Sequence, residues 1–194
     1  MMPGMPGMPG MMPGMMPGMQ QMQPGTMMGV PPTDPMSLQA RFQQIDTDHS
    51  GNITVQEIYH AYAQMQFSPQ AAKLLLQAVS DLPYITMQNF PLFDMHLSHF
   101  WASFTAISQG RPVVMPQQIL QGLQMLNFRF DPNVAMALIN RFDLDKQGVS
   151  FGEYMSICSY FLICNRLMQK FDTQRRGFLQ LDYNGLTSLG MWFL

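Results

Sequence analysis

Between Ile45 and Ile58 the chain reads Asp46-Thr47-Asp48-His49-Ser50-Gly51-Asn52-Ile53-Thr54-Val55-Gln56-Glu57, with an oxygen donor at almost every other position. Asp46, Asp48 and Ser50 supply side-chain oxygens at the first, third and fifth positions, and Gly51 at the sixth permits a sharp turn at positive φ. Asn52 offers its backbone carbonyl, Thr54 reaches the centre directly or through a water, and Glu57 closes the set with two carboxylate oxygens. This order of oxygen donors over twelve residues is the pattern that holds Ca2+. Ile53, at the eighth position, carries no donor and points away from the ion into a core. A plain turn rich in Asp, Asn and Ser is the alternative reading of the same stretch.

Positioning these oxygens around one point requires a helix on either side. Leu38, Phe42 and Ile45 recur at helical spacing before the loop, and Ile58, Ala61, Tyr62 and Met65 do so after it, which makes a complete helix-loop-helix unit of the EF-hand kind. A lone unit leaves two apolar helix faces and a strand-like bond at its eighth position without partners, so further units are expected. A second has an entry helix with Leu74, Leu75, Leu76 and Val79, a donor-poor loop Ser80-Asp81-Leu82-Pro83, and Tyr84-Ile85-Thr86 placed to pair with Ile53. A third runs from Phe100-Trp101 through Ser108-Gln109-Gly110-Arg111-Pro112-Val113-Val114 to Ile119, Leu120, Leu123 and Met125; its loop has Arg111 and no carboxylate, which opposes a divalent cation. The fourth contains Asp143, Asp145, Gln147, Gly148 and Glu153, a weaker candidate metal set in which the closing Glu comes one residue early and Lys146 reduces the negative charge. The fifth follows Phe171-Asp172; Arg175 and Arg176 occupy ligand positions and Tyr183 replaces the closing Glu, so calcium is not expected there. With Lys170 these arginines read either as a solvated loop or as a phosphate contact.

Length and composition fit one globular domain with a tail and adaptable apolar surfaces. The chain has 194 residues, a formal charge of −2, 11% charged residues and 22 methionines, against roughly 25% charged residues in ordinary soluble domains. Nothing in that balance points to nucleic acid. Cys158 and Cys164 lie in an apolar run without CxxC spacing and read as reduced thiols of a cytoplasmic protein. No signal peptide, membrane-spanning run or lipidation box is expected.

Residues 1–35 repeat Met-Pro-Gly, as in Met2-Pro3-Gly4 and Met5-Pro6-Gly7. Proline removes amide donors and glycine raises the entropy cost of ordering, so this tail is expected to be disordered, serving as a spacer or as a weak contact for apolar partners or membrane. Irregular glycine spacing excludes collagen. The remaining chain, 36–194, divides into units at about 36–66, 71–99, 100–126, 132–160 and 161–194.

Five such units behind a Gly/Pro-rich tail resemble the penta-EF-hand family. The likeness covers residues 36–194 and is carried by Asp46 to Glu57, Phe142-Asp143 with Gly148, and Phe171-Asp172 with Gly177. It implies an all-α fold of five EF-hand units with short β-pairings between loops, the first pairing with the second and the third with the fourth. It also implies that the fifth unit pairs with its counterpart in another chain. Leu179 would then lie on the strand at the dimer axis, with Leu186, Leu189, Trp192 and Phe193 in the adjoining helix; burial within their own domain is the alternative. The family usually binds calcium at its third loop as well as its first, and here the third has lost its carboxylates.

The resulting expectation is a non-enzymatic, calcium-binding, dimerising cytoplasmic adaptor. Calcium at the first loop would move the exit helix and uncover apolar surface for Pro-rich or amphipathic segments of protein partners, with reversible membrane association as a further expectation. Leu92, Phe93, Met95, Leu97, Phe100 and Trp101 are candidate lining residues, with ordinary core packing as the alternative. The rival expectations are a regulatory subunit of a calpain-like cysteine protease, which would make the dimer a heterodimer, and a largely calcium-insensitive scaffold. His96 and His99 share a helical face without a third ligand, so metal catalysis is not expected.

Overall fold

The computed structural model describes residues 35–193; the Met-Pro-Gly repeats, with the disorder expected of them, and the end residue Leu194 lie outside the described residues. Eight α-helices and four two-residue strands follow in the order α1 (Pro35–Ile45), β1 (Asn52–Ile53), α2 (Val55–Tyr62), α3 (Pro69–Val79), β2 (Ile85–Thr86), α4 (Phe90–Ser108), β3 (Val113–Val114), α5 (Pro116–Met125), α6 (Pro132–Phe142), β4 (Val149–Ser150), α7 (Phe151–Phe171) and α8 (Tyr183–Gly190). Short 3-10 turns follow α2 at Ala63–Met65 and α8 at Met191–Phe193. Loops 1 to 5 are the segments joining α1 to α2, α3 to α4, α4 to α5, α6 to α7, and α7 to α8.

Helix starts are written locally. Thr54 and Ser150 each form a capping box with the glutamate three residues on, while Ser68, Asp131 and Asp182 cap α3, α6 and α8 through side-chain oxygens. The strands pair antiparallel, Ile53 opposite Ile85 and Val114 opposite Val149. These bonds tie loop 1 to loop 2 and loop 3 to loop 4, as the expected pairing requires. Positions 99/100 and 160/161, expected as unit boundaries, lie inside the unbroken helices α4 and α7.

The core is continuous across both strand pairs. Phe90, Phe93, Leu97, Phe100 and Phe104 of α4 are buried together with Tyr154, Met155, Ile157 and Ile163 of α7, each such side chain contributing about 1.5–3 kcal/mol of apolar burial. Helix α3 packs along α7, and just before α3 the Gln66 carbonyl lies against Gly152 of α7, a contact that leaves no room for a Cβ. Two buried or half-buried cations brace this frame. Arg41 of α1 pairs with buried Asp94 of α4 at 2.6 Å, and Arg166 of α7 donates to the carbonyls of Gln77 (2.7 Å) and Ser80 (3.0 Å) while pairing with Asp81 at 2.8 Å. Trp192 lies beneath Arg166 and Lys170, at 5.4 and 4.9 Å from ring centroid to cation, which fastens the C-terminal turn to α7.

This packing corrects the expected groove on α4. Phe93, Leu97 and Phe100 are core residues with 0–1% exposure and cannot line a surface. Trp101 is half-buried, edge-on to Phe151 at 4.9 Å, Met95 is half-buried, and Leu92 is exposed. The six residues are close in sequence, but a helix distributes them over several faces.

Candidate metal centre

Loop 1 gathers its donors by a backbone that is already wound. The amides of Ser50 and Gly51 donate to the two oxygens of Asp46 at 3.0 and 2.9 Å, and the Ser50 amide also donates to Asp48 Oδ1 at 3.0 Å. His49 (φ +56°) and Gly51 (φ +78°) take left-handed conformations, which bend the chain around the carboxylates. At the far end Glu57 sits in the first turn of α2. Its Oε2 accepts from Thr54 N and Oγ1, both at 2.8 Å, and its Oε1 accepts from Thr47 N at 2.8 Å and Thr47 Oγ1 at 3.1 Å. One carboxylate therefore bridges the beginning of the loop and the helix that leaves it.

Among the described residues, Asp46, Asp48 and Glu57 form the one group of three or more potential metal ligands from Asp, Glu, His and Cys, with ligand atoms all within 4.8 Å of one another. Asp46 and Glu57 are buried and Asp48 is exposed. Burial pushes the Glu57 carboxyl up, but hydrogen bonds from Thr54 and Thr47 outweigh it and hold the group below its ordinary range. Hydrogen bonds from the Ser50 hydroxyl and amide likewise lower Asp48. Both groups are thus kept ionised, the form a cation needs. Ser50 Oγ donates to the Asn52 carbonyl at 3.1 Å, so these two expected ligands are adjacent, and the Thr54 hydroxyl is beside Glu57. The donor set fits calcium in type and arrangement. Thr47 was not foreseen as a participant; its position directly after the first ligand, opposite the closing Glu, was the available signal.

The fourth loop is built differently. Gln147 N donates to Asp145 Oδ1 at 2.9 Å, repeating the Ser50–Asp48 bond, but Asp143 Oδ1 is buried without a hydrogen-bond partner. Glu153 Oε2 accepts from Ser150 N and Oγ, both at 2.8 Å, and so caps α7. Lys146 directs its ammonium to the Asn140 carbonyl at 2.6 Å. Asp143, Asp145 and Glu153 do not come together as the loop 1 carboxylates do.

In loop 5, Asp172 accepts from the amides of Arg176 (2.9 Å) and Gly177 (2.7 Å), with Arg175 and Gly177 at φ +53° and +80°. The winding of loop 1 is retained there without its ligands, since Tyr183 at the closing position is 83% exposed. Of the residues expected at a dimer interface, Leu186 is exposed and α8 buries no residue, whereas Leu189, Trp192 and Phe193 are half-buried against the core of their own chain. Leu179 is half-buried in a segment that forms no strand.

His96 is half-buried against Phe100 and His99 is exposed. Cys158 and Cys164 are free thiols, raised by burial above the ordinary thiol value. Among the described residues no helix is long and apolar enough to cross a membrane.

No protein-family model matches the sequence, and no curated protein matches it. Among solved structures, a homolog of programmed cell death 6 protein from Leishmania major Friedlin matches with a TM-score of 0.60 and 21% identity, over 81% of this chain and 90% of that one. The likeness is one of fold: mostly helical, EF-hand-like, with small strand pairs linking the loops.

Proposed function

We propose that this protein is a calcium-binding adaptor of the penta-EF-hand kind, with loop 1 as its full calcium site. The observation that carries the reading is the convergence of Asp46, Asp48 and Glu57 within 4.8 Å, on a backbone wound around them. The repeated winding of loop 5, the two strand pairs and the fold likeness support five units in penta-EF-hand order. Asp46, Asp48, Ser50, Asn52, Thr54 and Glu57 would hold the ion, whose positive charge offsets the mutual repulsion of the three carboxylates. The rest of the response belongs to the chain. Glu57 is part of the first turn of α2, so any displacement of its carboxylate is transmitted to that helix. Three carboxylates with Ser at the fifth position correspond to a Kd of roughly 10⁻⁷ to 10⁻⁵ M.

Protein docking is the output we assign. A cleft of about 440 Å³ lined by Val55, Leu76, Leu82, Pro83, Met191 and Trp192 begins at the first residue of α2, and its methionine and aromatic walls suit a Pro-rich or amphipathic segment. Exposed Leu186 and Phe178 in the fifth unit support pairing with another chain, a second copy or a related partner such as a calpain-like catalytic chain. The free thiols support a reducing, cytoplasmic setting, with membrane contact as a calcium-dependent step. The protein acts in this reading by binding, without catalysis.

Calorimetric titration of the full chain with calcium, paired with sedimentation, tests the proposal. One site of micromolar or tighter affinity is expected, in a dimer that Leu186→Asp weakens. Absence of calcium heat at micromolar concentrations would leave the calcium-insensitive scaffold in its place.

A further inference from the structure

The strand ladders define which residue closes each of the first four loops. Ile53 and Val149 lie four residues before Glu57 and Glu153, and their ladder partners Ile85 and Val114 lie four residues before Asn89 and Gln118. Each ladder therefore joins one loop closed by a carboxylate to one closed by a carboxamide. All four closing side chains accept a bond from the residue three before them: Thr54 to Glu57, Thr86 Oγ1 to Asn89 Oδ1 at 2.6 Å, Met115 N to Gln118 Oε1 at 3.1 Å, and Ser150 to Glu153. The difference is on the other side of the group. Asn89 Nδ2 donates to the hydroxyl of Ser80 at 3.0 Å, and Gln118 Nε2 donates to the carbonyl of Ile107 at 3.0 Å. Ser80 and Ile107 lie at the entry sides of loops 2 and 3, so each amide spans its loop from the helix that leaves to the helix that enters.

We propose that loops 2 and 3 are clasped without metal by the side-chain amides of Asn89 and Gln118, which makes them fixed abutments for loops 1 and 4. A carboxylate can only accept, so a glutamate spans its loop only where the entry side offers a proton or a cation. Glu57 finds Thr47, whereas an amide carries its own donor and needs neither. The clasp is neutral and leaves no charge for a cation to offset. Loop 2 is pinned further, because Ser80 Oγ donates to the Tyr84 carbonyl at 3.0 Å and accepts from Leu82 N at 3.1 Å, and Arg166 holds the Ser80 carbonyl. Resting on the proposed calcium site, the consequence is a one-sided response: β2 stays still, and movement is confined to loop 1 and α2.

Amide hydrogen exchange on the full chain tests this, in EDTA and in calcium. In EDTA the wild-type amides of loops 2 and 3 are expected to be protected already, changing by less than about twofold on calcium addition, the loss of a single hydrogen bond being worth about tenfold. Gln118→Met and Gln118→Glu should exchange about tenfold faster in loop 3 in EDTA, and Asn89→Leu should do the same in loop 2, with α1 unchanged in all three. Gln118→Met keeps side-chain length and adds no charge, so it separates loss of the donor from charge repulsion. Exchange in the variants equal to wild type, or wild-type protection of loops 2 and 3 that appears only with calcium, overturns the proposal. A wild-type loop 1 that ignores calcium counts against the proposed function instead and leaves the EDTA comparison standing.

Discussion

Loops 1 and 4 begin alike and end alike, yet they differ by one residue in the middle. Each opens with Asp-x-Asp, bends through a left-handed residue at the fourth position (His49 or Lys146) and a glycine at the sixth (Gly51 or Gly148), and closes with a glutamate in a capping box. In both loops the strand begins directly after the turn glycine, but five residues separate Gly51 from Glu57 in loop 1 and four separate Gly148 from Glu153 in loop 4. The ladder to Val114 fixes Val149, and Gly148 is drawn so close that a Cβ there would lie 3.2 Å from the Val114 carbonyl. The ligand turns Asp46–Gly51 and Asp143–Gly148 have the same six residues, so the missing residue falls between the glycine and the closing glutamate. Asp143 loses the amide bonds that Asp46 enjoys, and Glu153 is left with its capping role alone. Ligand identity is therefore insufficient; the loop with one residue fewer between turn glycine and closing glutamate is the one whose carboxylates do not converge.

The largest test of this contrast is Glu57→Gln, expected to weaken calcium binding by at least about a hundredfold in calorimetry. A titration that still shows one full site in this variant would assign binding to loop 4 and reverse the comparison. Next in size, inserting Asn between Gly148 and Val149 restores the twelve-residue spacing and should create a second calcium heat, with a Kd on the order of 10⁻⁵ to 10⁻⁴ M given one fewer ideal ligand. No new heat in a folded insertion variant would mean that Lys146, not spacing, silences the loop. Glu153→Ala should leave calcium binding unchanged and lower stability by about 1 kcal/mol in urea denaturation, the worth of a helix cap. A loss of calcium affinity in that variant would break the assignment of Glu153 to capping.

The smallest effect separates protons from metal. Burial, with His99 nearby, pushes the His96 imidazole down to about 4, so it folds neutral while the unfolded chain titrates near 6.5. Between those values the unfolded state binds the extra proton; the stabilisation present above about 6.5 is lost as pH falls toward 4. From pH 7.5 to 5.5 the urea-derived stability should drop by about 1 kcal/mol, equally with and without calcium. His96→Phe should remove that slope, and an unchanged slope would locate the titration elsewhere.

Much of the site was legible because its geometry is local. Twelve consecutive residues set the turn at Gly51, the Asp46 amide bonds and the capping box, and each requires only short-range contacts. The clasp residues were not legible in the same way. Asn89 and Gln118 are not marked as loop-closing by residue type; the sequence placed Tyr84-Ile85-Thr86 against Ile53, but the exact register, Ile85 opposite Ile53 and Val114 opposite Val149, is what identifies them. The α4 groove failed for a related reason: adjacent apolar residues share a stretch of sequence, but packing against the helices around α4 decided which of them face inward.

The sequence by itself determined the donor types, the winding of loop 1 and the helix starts, since hydrogen bonds over three to five residues specify them. It also exposed the early glutamate of loop 4. Tertiary structure alone decided that α4 and α7 run unbroken through positions 99/100 and 160/161, that Leu189, Trp192 and Phe193 rest on their own chain, and that each carboxylate-closed loop is set against an amide-closed one. These outcomes depend on which surfaces meet, and burial and strand register act between residues that the chain order keeps far apart.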